Sequence, residues 1–246
     1  MNNALEIFYK FAEASGADVV QTAGYAFFKD NPQNPVPDVK RLSMTRNFID
    51  KPTFLPNDTG ERIKLFCNHR INVVGWTKLV RRDLLVENEI FLQEDVKASQ
   101  DIMWTIELIF YAKHYLLIPN CLYAYRKRSD SVSQTERRGA ESIKYRGRLL
   151  VKNVEFLCEF FGKEKFFSDN PQYAWMLLDW LERRYSKNFG KALYEVPPHD
   201  AQKILAEDFA ADFGEHASLL AYLCTSANFS RLKEIFYINK LNARAQ

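Results

Sequence analysis

Asp101 opens the stretch DIMWTIELIFYAK, residues 101–113, in which Ile102, Ile106, Ile109 and Phe110 recur at helical spacing. A carboxylate in the first turn of a helix meets unpaired backbone N–H groups and the positive end of the helix dipole, which favour its ionised form and suit it to accept a proton. The plain alternative is an acid that only caps the helix. Trp76 offers a flat apolar face, and Lys78 follows two residues on, on the same side of an extended segment. Spacing alone favours the plainer reading of a core indole and a solvated amine. Arg126 and Arg128 alternate with Tyr123 and Tyr125 at the end of another extended segment, and planar guanidinium forks suit a diphosphate. Two surface arginines beside an aspartate are the simpler reading, and Ser131 and Ser133 read as loop residues. The four histidines, His69, His114, His199 and His216, show no i, i+4 pair and no cysteine at ligand spacing, which argues against a zinc site. No GxSxG, GxxxxGKS/T or GxGxxG occurs.

The elements that must position these residues follow from periodicity. Leu5, Phe8, Phe11 and Ala12 predict an opening helix capped at Asn2 or Asn3 and stopped at Gly16. Residues 17–28, ADVVQTAGYAFF, are β-branched and aromatic and predict a strand. A Pro-, Asn- and Asp-rich connection over 29–60 is expected to be irregular, a candidate lid. A short helix over 61–69, an extended piece over 72–80 and a helical turn over 83–88 come next. The helix at 101–113 is followed by two extended pieces within 115–127, broken at Pro119-Asn120. Glu94-Asp95 lie too early to open that helix and read as loop charges. Beyond about Glu136 the pattern is helical throughout, with segments near 142–161, 171–188, 199–213 and 217–241. The expected fold class is therefore α/β, a mixed sheet with helices, followed by an all-helical region. The boundary falls near Arg137, giving residues 1–136 and 137–246.

Composition bounds the rest. With 246 residues, 47% of them hydrophobic, the chain can bury one sizeable core or two smaller ones. Its 34 basic and 31 acidic residues leave a net charge of +3, without the basic excess expected of a dedicated nucleic-acid binder. No apolar run approaches the roughly 20 residues of a membrane span, and residues 1–4 show no secretory signal, so a cytoplasmic location is expected. Cys67, Cys121, Cys158 and Cys224 form no CxxC and read as buried thiols of a reducing compartment. In the last helix Arg231, Lys233, Lys240 and Arg244 flank Leu232, Ile235, Phe236, Ile238 and Leu241, a stripe read as core packing or as a peripheral membrane contact.

Three stretches in register resemble family-2 glycosyltransferases, the inverting enzymes of the GT-A fold that move a sugar from a nucleotide donor to a hydroxyl. GWTKLVRRDLLVENEIF at 75–91 resembles the family's Trp, Lys-Leu, Arg-Arg-acidic segment with its "x-x-I-x-F" tail. SQDIMWTIELIFYAKHYLLIPNCLYAYRKRSDSVS at 99–133 resembles its Glu-Asp helix, "AK" turn, "IP" strand and "YxYRxRxxSxS" ending. NALEIFYKFAEASGADVV at 3–20 with Asn2 resembles the helix and strand that come right after the family's metal-binding Asp-x-Asp. Together they cover about residues 2–135.

The resemblance implies that Asp101 is the catalytic base, that Trp76 and Lys78 bind the acceptor, and that Arg126 and Arg128 hold the donor diphosphate. Gln100 departs from the pattern, since a Glu usually precedes the Asp. The family's nucleotide-binding half ends in the Asp-x-Asp, and no Asp-x-Asp precedes Leu5 in this sequence. The expectation is an incomplete GT-A-like sheet, the C-terminal acceptor and catalytic-base half of the domain, truncated and inactive alone. A divalent metal, Mn or Mg, and a nucleotide sugar are expected of the full enzyme together with a glycan acceptor, in the synthesis of bacterial-type surface polysaccharide. The alternative is a non-catalytic remnant serving as a binding or assembly module. Bare strand edges would favour self-association into a homo-oligomer.

Overall fold

The computed structural model describes residues 3–28, 36–37, 50–93, 99–126, 139–218 and 220. It divides into two compact units, Met1–Thr135 and Glu136–Gln246.

The first unit is a mixed α/β layer. Helix α1 (Ala4–Ser15) ends at Gly16, whose φ of 65° is the left-handed conformation that glycine adopts without a Cβ penalty. Asn3 stands at the N-terminal cap position, but its own left-handed backbone leaves it without a side-chain cap bond. Strand β1 (Val19–Phe28) runs parallel to β5 (Tyr115–Arg126) along its whole length. The other edge of β1 is shared by two short antiparallel strands: β4 (Lys78–Val80) pairs near its start, and β2 (Val36–Pro37) near its end. Strand β3 (Thr53–Phe54) covers the far edge of β5 at Leu116 and Leu117. One sheet face buries Val20, Leu116, Ile118 and Leu122 with Phe8 and Ala17, and the partly buried Ile7, Phe11 and Leu79 close that cluster.

Helices α2 (Thr59–Cys67), α3 (Arg82–Glu87) and α4 (Gln100–Tyr111) complete the unit. Asp58 caps α2 by accepting from the Glu61 N–H at 2.7 Å. α4 buries Ile102, Met103, Ile106, Leu108 and Ile109, each worth roughly 1.5–3 kcal/mol when taken out of water. Phe110, expected on that inner face, is only half-buried. α2 packs against α4, and the buried Arg62 guanidinium donates to the Ala112 carbonyl at the end of α4.

Two expectations for this unit are corrected. Residues 115–126 form one strand, because Pro119 and Asn120 are absorbed as a register shift opposite Thr22–Gly24. Residues 72–80 are not one extended piece: Gly75–Thr77 is a 3₁₀ turn, closed by the Thr77 hydroxyl donating to the Val74 carbonyl at 2.6 Å, and only residues 78–80 are strand.

In its described residues the second unit is helical: α5 (Gly139–Lys163), α6 (Lys165–Asp169), α7 (Pro171–Tyr194), α8 (Pro198–Lys203), a π turn at Ile204–Asp208, α9 (Phe209–Phe213) and a 3₁₀ turn at Gly214–His216. α5 buries Ile143, Gly147, Leu150, Leu157 and Phe160 at helical spacing. Gly147 is required by packing, since a Cβ there would lie 2.8 Å from the Phe213 ring. The buried Asn153 donates to Tyr185 Oη at 2.9 Å across the α5–α7 contact. The expected segment 217–241 falls almost wholly outside the described residues.

The thiol reading is corrected in part. Cys67, Cys121 and Cys158 are in no disulfide, but Cys67 and Cys121 are half-buried and Cys158 is exposed. Cys224 lies outside the described residues. Among those residues no helix is long and apolar enough to cross a membrane.

Candidate functional site

Asp101 sits half-buried in the first turn of α4, after Ser99, whose left-handed backbone (φ 67°) turns the chain into the helix. The Gln100 side-chain amide donates to the Gln93 carbonyl at 2.7 Å. The Gly75–Thr77 turn lies directly beside Asp101: a Cβ on Gly75 would stand 3.9 Å from the Asp101 Cβ and 3.6 Å from the Trp104 ring. The Thr105 hydroxyl donates to the Val73 carbonyl at 3.0 Å, so a hydrogen bond holds the same segment onto α4. The turn thus brings Gly75, the neighbour of Trp76, up to Asp101.

The indole is less bare than a platform would be. Trp76 stacks on Tyr123 at 4.2 Å and on Tyr125 at 5.5 Å, and meets the edge of Tyr25 at 4.5 Å. Tyr25 is buried, whereas Tyr123 is 37% exposed and forms the open side of the cluster. The tyrosines come from the C-terminal ends of the parallel strands β1 and β5, the end at which ligands collect on open α/β sheets. Sequence reasoning noted Tyr123 and Tyr125 only as neighbours of the arginines. Their alternation with period two was the signal that could have placed them on one face with Trp76.

Lys78 lies elsewhere than the extended-strand reading expected. It pairs with Gln21 across the β1–β4 ladder, and its ammonium donates to the carbonyls of Asn72 at 2.6 Å and Val74 at 2.9 Å. Burial pulls this amine down to about 7, against the opposing pull of the Asp101 charge. Arg126 is exposed at the last position of β5. Successive strand side chains point to opposite faces, so Arg126 leaves on the face away from Tyr125 and the indole stack. Arg128, Ser131, Ser133, Glu94 and Asp95 lie outside the described residues, as does the basic-apolar stripe of 231–244.

The histidines form no site together. His114 sits edge-on to Phe54 at 6.1 Å, and His216 approaches Glu155 at 3.6 Å. Among the described residues no group of three or more His, Cys, Asp or Glu side chains is gathered to hold a metal ion.

No family model matches the chain. Over 72 residues it is 35% identical to an uncharacterized glycosyltransferase, YibD, of Escherichia coli (strain K12). That stretch is 29% of this chain and spans only 21% of the relative's length. Among solved structures, the chain is similar to S. aureus TarS 1-349 in complex with UDP-GlcNAc, with a TM-score of 0.40 and 16% identity, covering 98% of this chain and 64% of that one.

Proposed function

We propose that this chain is the acceptor and catalytic-base portion of a family-2 glycosyltransferase, and that Asp101 is its general base. The supporting observation is the close approach of Gly75 to the first turn of α4, because the residue after Gly75 carries the indole of the aromatic stack. An acceptor sugar laid on Tyr123, the open side of the stack, would place its C–H face on that ring and a hydroxyl toward Asp101. In the step, the acceptor oxygen attacks the anomeric carbon of the donor, its proton passes to Asp101, and the nucleotide diphosphate leaves with the electron pair of the broken C–O bond. The carbon inverts. This chain's own residues then hold the acceptor and take its proton. In the family the donor nucleotide and its metal fall to the nucleotide-binding half, and the resemblance assigns Arg126 and Arg128 to the diphosphate. Calorimetry with several nucleotide sugars and manganese would measure how much of the donor site these residues supply.

The test is turnover of Asp101→Asn in a protein that includes the nucleotide-binding half. Loss of a general base costs on the order of 10² to 10⁴ in rate. Near-normal turnover with a well-folded variant would overturn the assignment and favour a binding or assembly module.

A further inference from the structure

Lys78 was expected at the acceptor, yet its ammonium is turned into the protein's own backbone. Two carbonyls of the segment that precedes the Gly75–Thr77 turn receive its protons, at 2.6 and 2.9 Å, and its Nζ stands 6.0 Å from the centre of the Trp104 ring on α4. A compact ammonium with three donors suits such a site, because it can hold two carbonyls and still face a carboxylate. We propose that Lys78 is a positioning residue for Asp101: its ammonium fixes the segment that leads into the Gly75–Thr77 turn, which abuts the first turn of α4, and acts on the Asp101 carboxylate through its charge. The role in catalysis rests on the reading of Asp101 as the base, but the coupling of the two residues does not.

Among the described residues, Asp101 is the charge that bears on this amine. Strand β1 presents Gln21, buried and neutral, while Asp18 at the start of that strand is held by Arg81 at 3.0 Å and by the backbone N–H groups of Lys113 and His114. Strand β5 presents Tyr115, a buried phenol pushed further from ionisation by desolvation, donating to Gln21 Oε1 at 2.6 Å. Helix α4 presents Asp101 and Trp104. An ammonium in this setting loses its proton near neutrality, at about 7, so its charge on Asp101 is present in mild acid and absent in mild base.

The experiment uses the full chain with isotopically labelled lysine, following the Lys78 side-chain resonance through a pH titration and assigning it by its loss in Lys78→Arg. The wild type should titrate at about 7, and Asp101→Asn should move that midpoint lower, because the carboxylate supports the charged amine. Asp83→Asn, on α3, should leave it in place. A midpoint near the ordinary 10.5, or one unmoved by Asp101→Asn, would overturn the proposal. In Lys78→Met the near-ultraviolet dichroism of the Trp76 stack should weaken while the far-ultraviolet helix signal stays, and an unchanged stack would refute the positioning role. If Lys78→Met fails to fold, the titration still decides. Neither arm needs a sugar donor. Normal turnover in Asp101→Asn would therefore remove the base assignment without touching this coupling.

Discussion

Asp18 and Asp101 are two carboxylates in one α/β unit, each close to the end of an element, and they are held in opposite ways. Asp18 precedes β1 and is buried; one oxygen meets Arg81 at 3.0 Å, and the other accepts the Lys113 and His114 N–H groups at 2.8 and 2.9 Å. Its acceptor capacity is committed to joining the end of α4 to the two parallel strands. Asp101 begins the same helix, is half-buried, and has a lysine of adjustable charge in place of an arginine fork. An acid bound on every side stabilises a fold and has little capacity left for a substrate proton. An acid fixed mainly through its helix keeps that capacity. Position near a cleft or a helix end does not separate the two; the number of committed lone pairs does.

The sharpest way to break this contrast is Asp18→Ala. It leaves two backbone N–H groups without acceptors, each costing about 1–3 kcal/mol, so a loss on the order of 3 kcal/mol is expected in urea unfolding. A loss below 1 kcal/mol would mean that water replaces the carboxylate and that the site is not sealed. Next is the pH dependence set by Lys78. Its folded value of about 7 lies below the ordinary 10.5, so between these values the unfolded chain binds a proton that the native chain lacks. Stability therefore rises with pH through that window, and the burial penalty is fully present below 7. Wild type should gain on Lys78→Met between pH 6 and pH 9 in paired urea melts; a difference that stays constant would mean that Lys78 is not desolvated. A smaller loss, about 1 kcal/mol or less, is expected for Arg81→Met, because the arginine side chain is half exposed and Asp18 keeps its two backbone donors.

The sequence disclosed elements better than contacts. Gly16 marked the end of α1, and the β-branched run 19–28 marked β1, because local backbone preference and burial agree there. The mixed α/β layer and the helical run that follows were legible for the same reason. Pro119-Asn120 misled because a proline normally breaks a ladder. Here β3 covers β5 only at Leu116 and Leu117, and the register shift against β1 gives the two residues room outside regular pairing. Trp76 and Lys78 misled because a three-residue 3₁₀ turn leaves no periodicity to read. Asp101 could be placed on its helix from spacing alone, but not its neighbours, since the Gly75 contact joins segments that the chain separates by a whole helix and a loop.

The smallest expected effect tests the comparison most directly. Asp101→Asn removes one charge from a helix N-terminus, worth about 0.3–1 kcal/mol, and keeps a side chain of the same shape. It also withdraws the carboxylate that supports the Lys78 ammonium. The cost should therefore be greater below pH 7, where the amine is charged, than well above it, where it is neutral. Urea midpoints of wild type and Asp101→Asn at pH 6 and pH 8.5 measure both quantities. A loss matching that of Asp18→Ala would class Asp101 as a second structural acid, and any fall in turnover would then reflect unfolding. A small loss, larger in acid, together with a large fall in turnover would leave proton transfer as the role that Asn cannot fill.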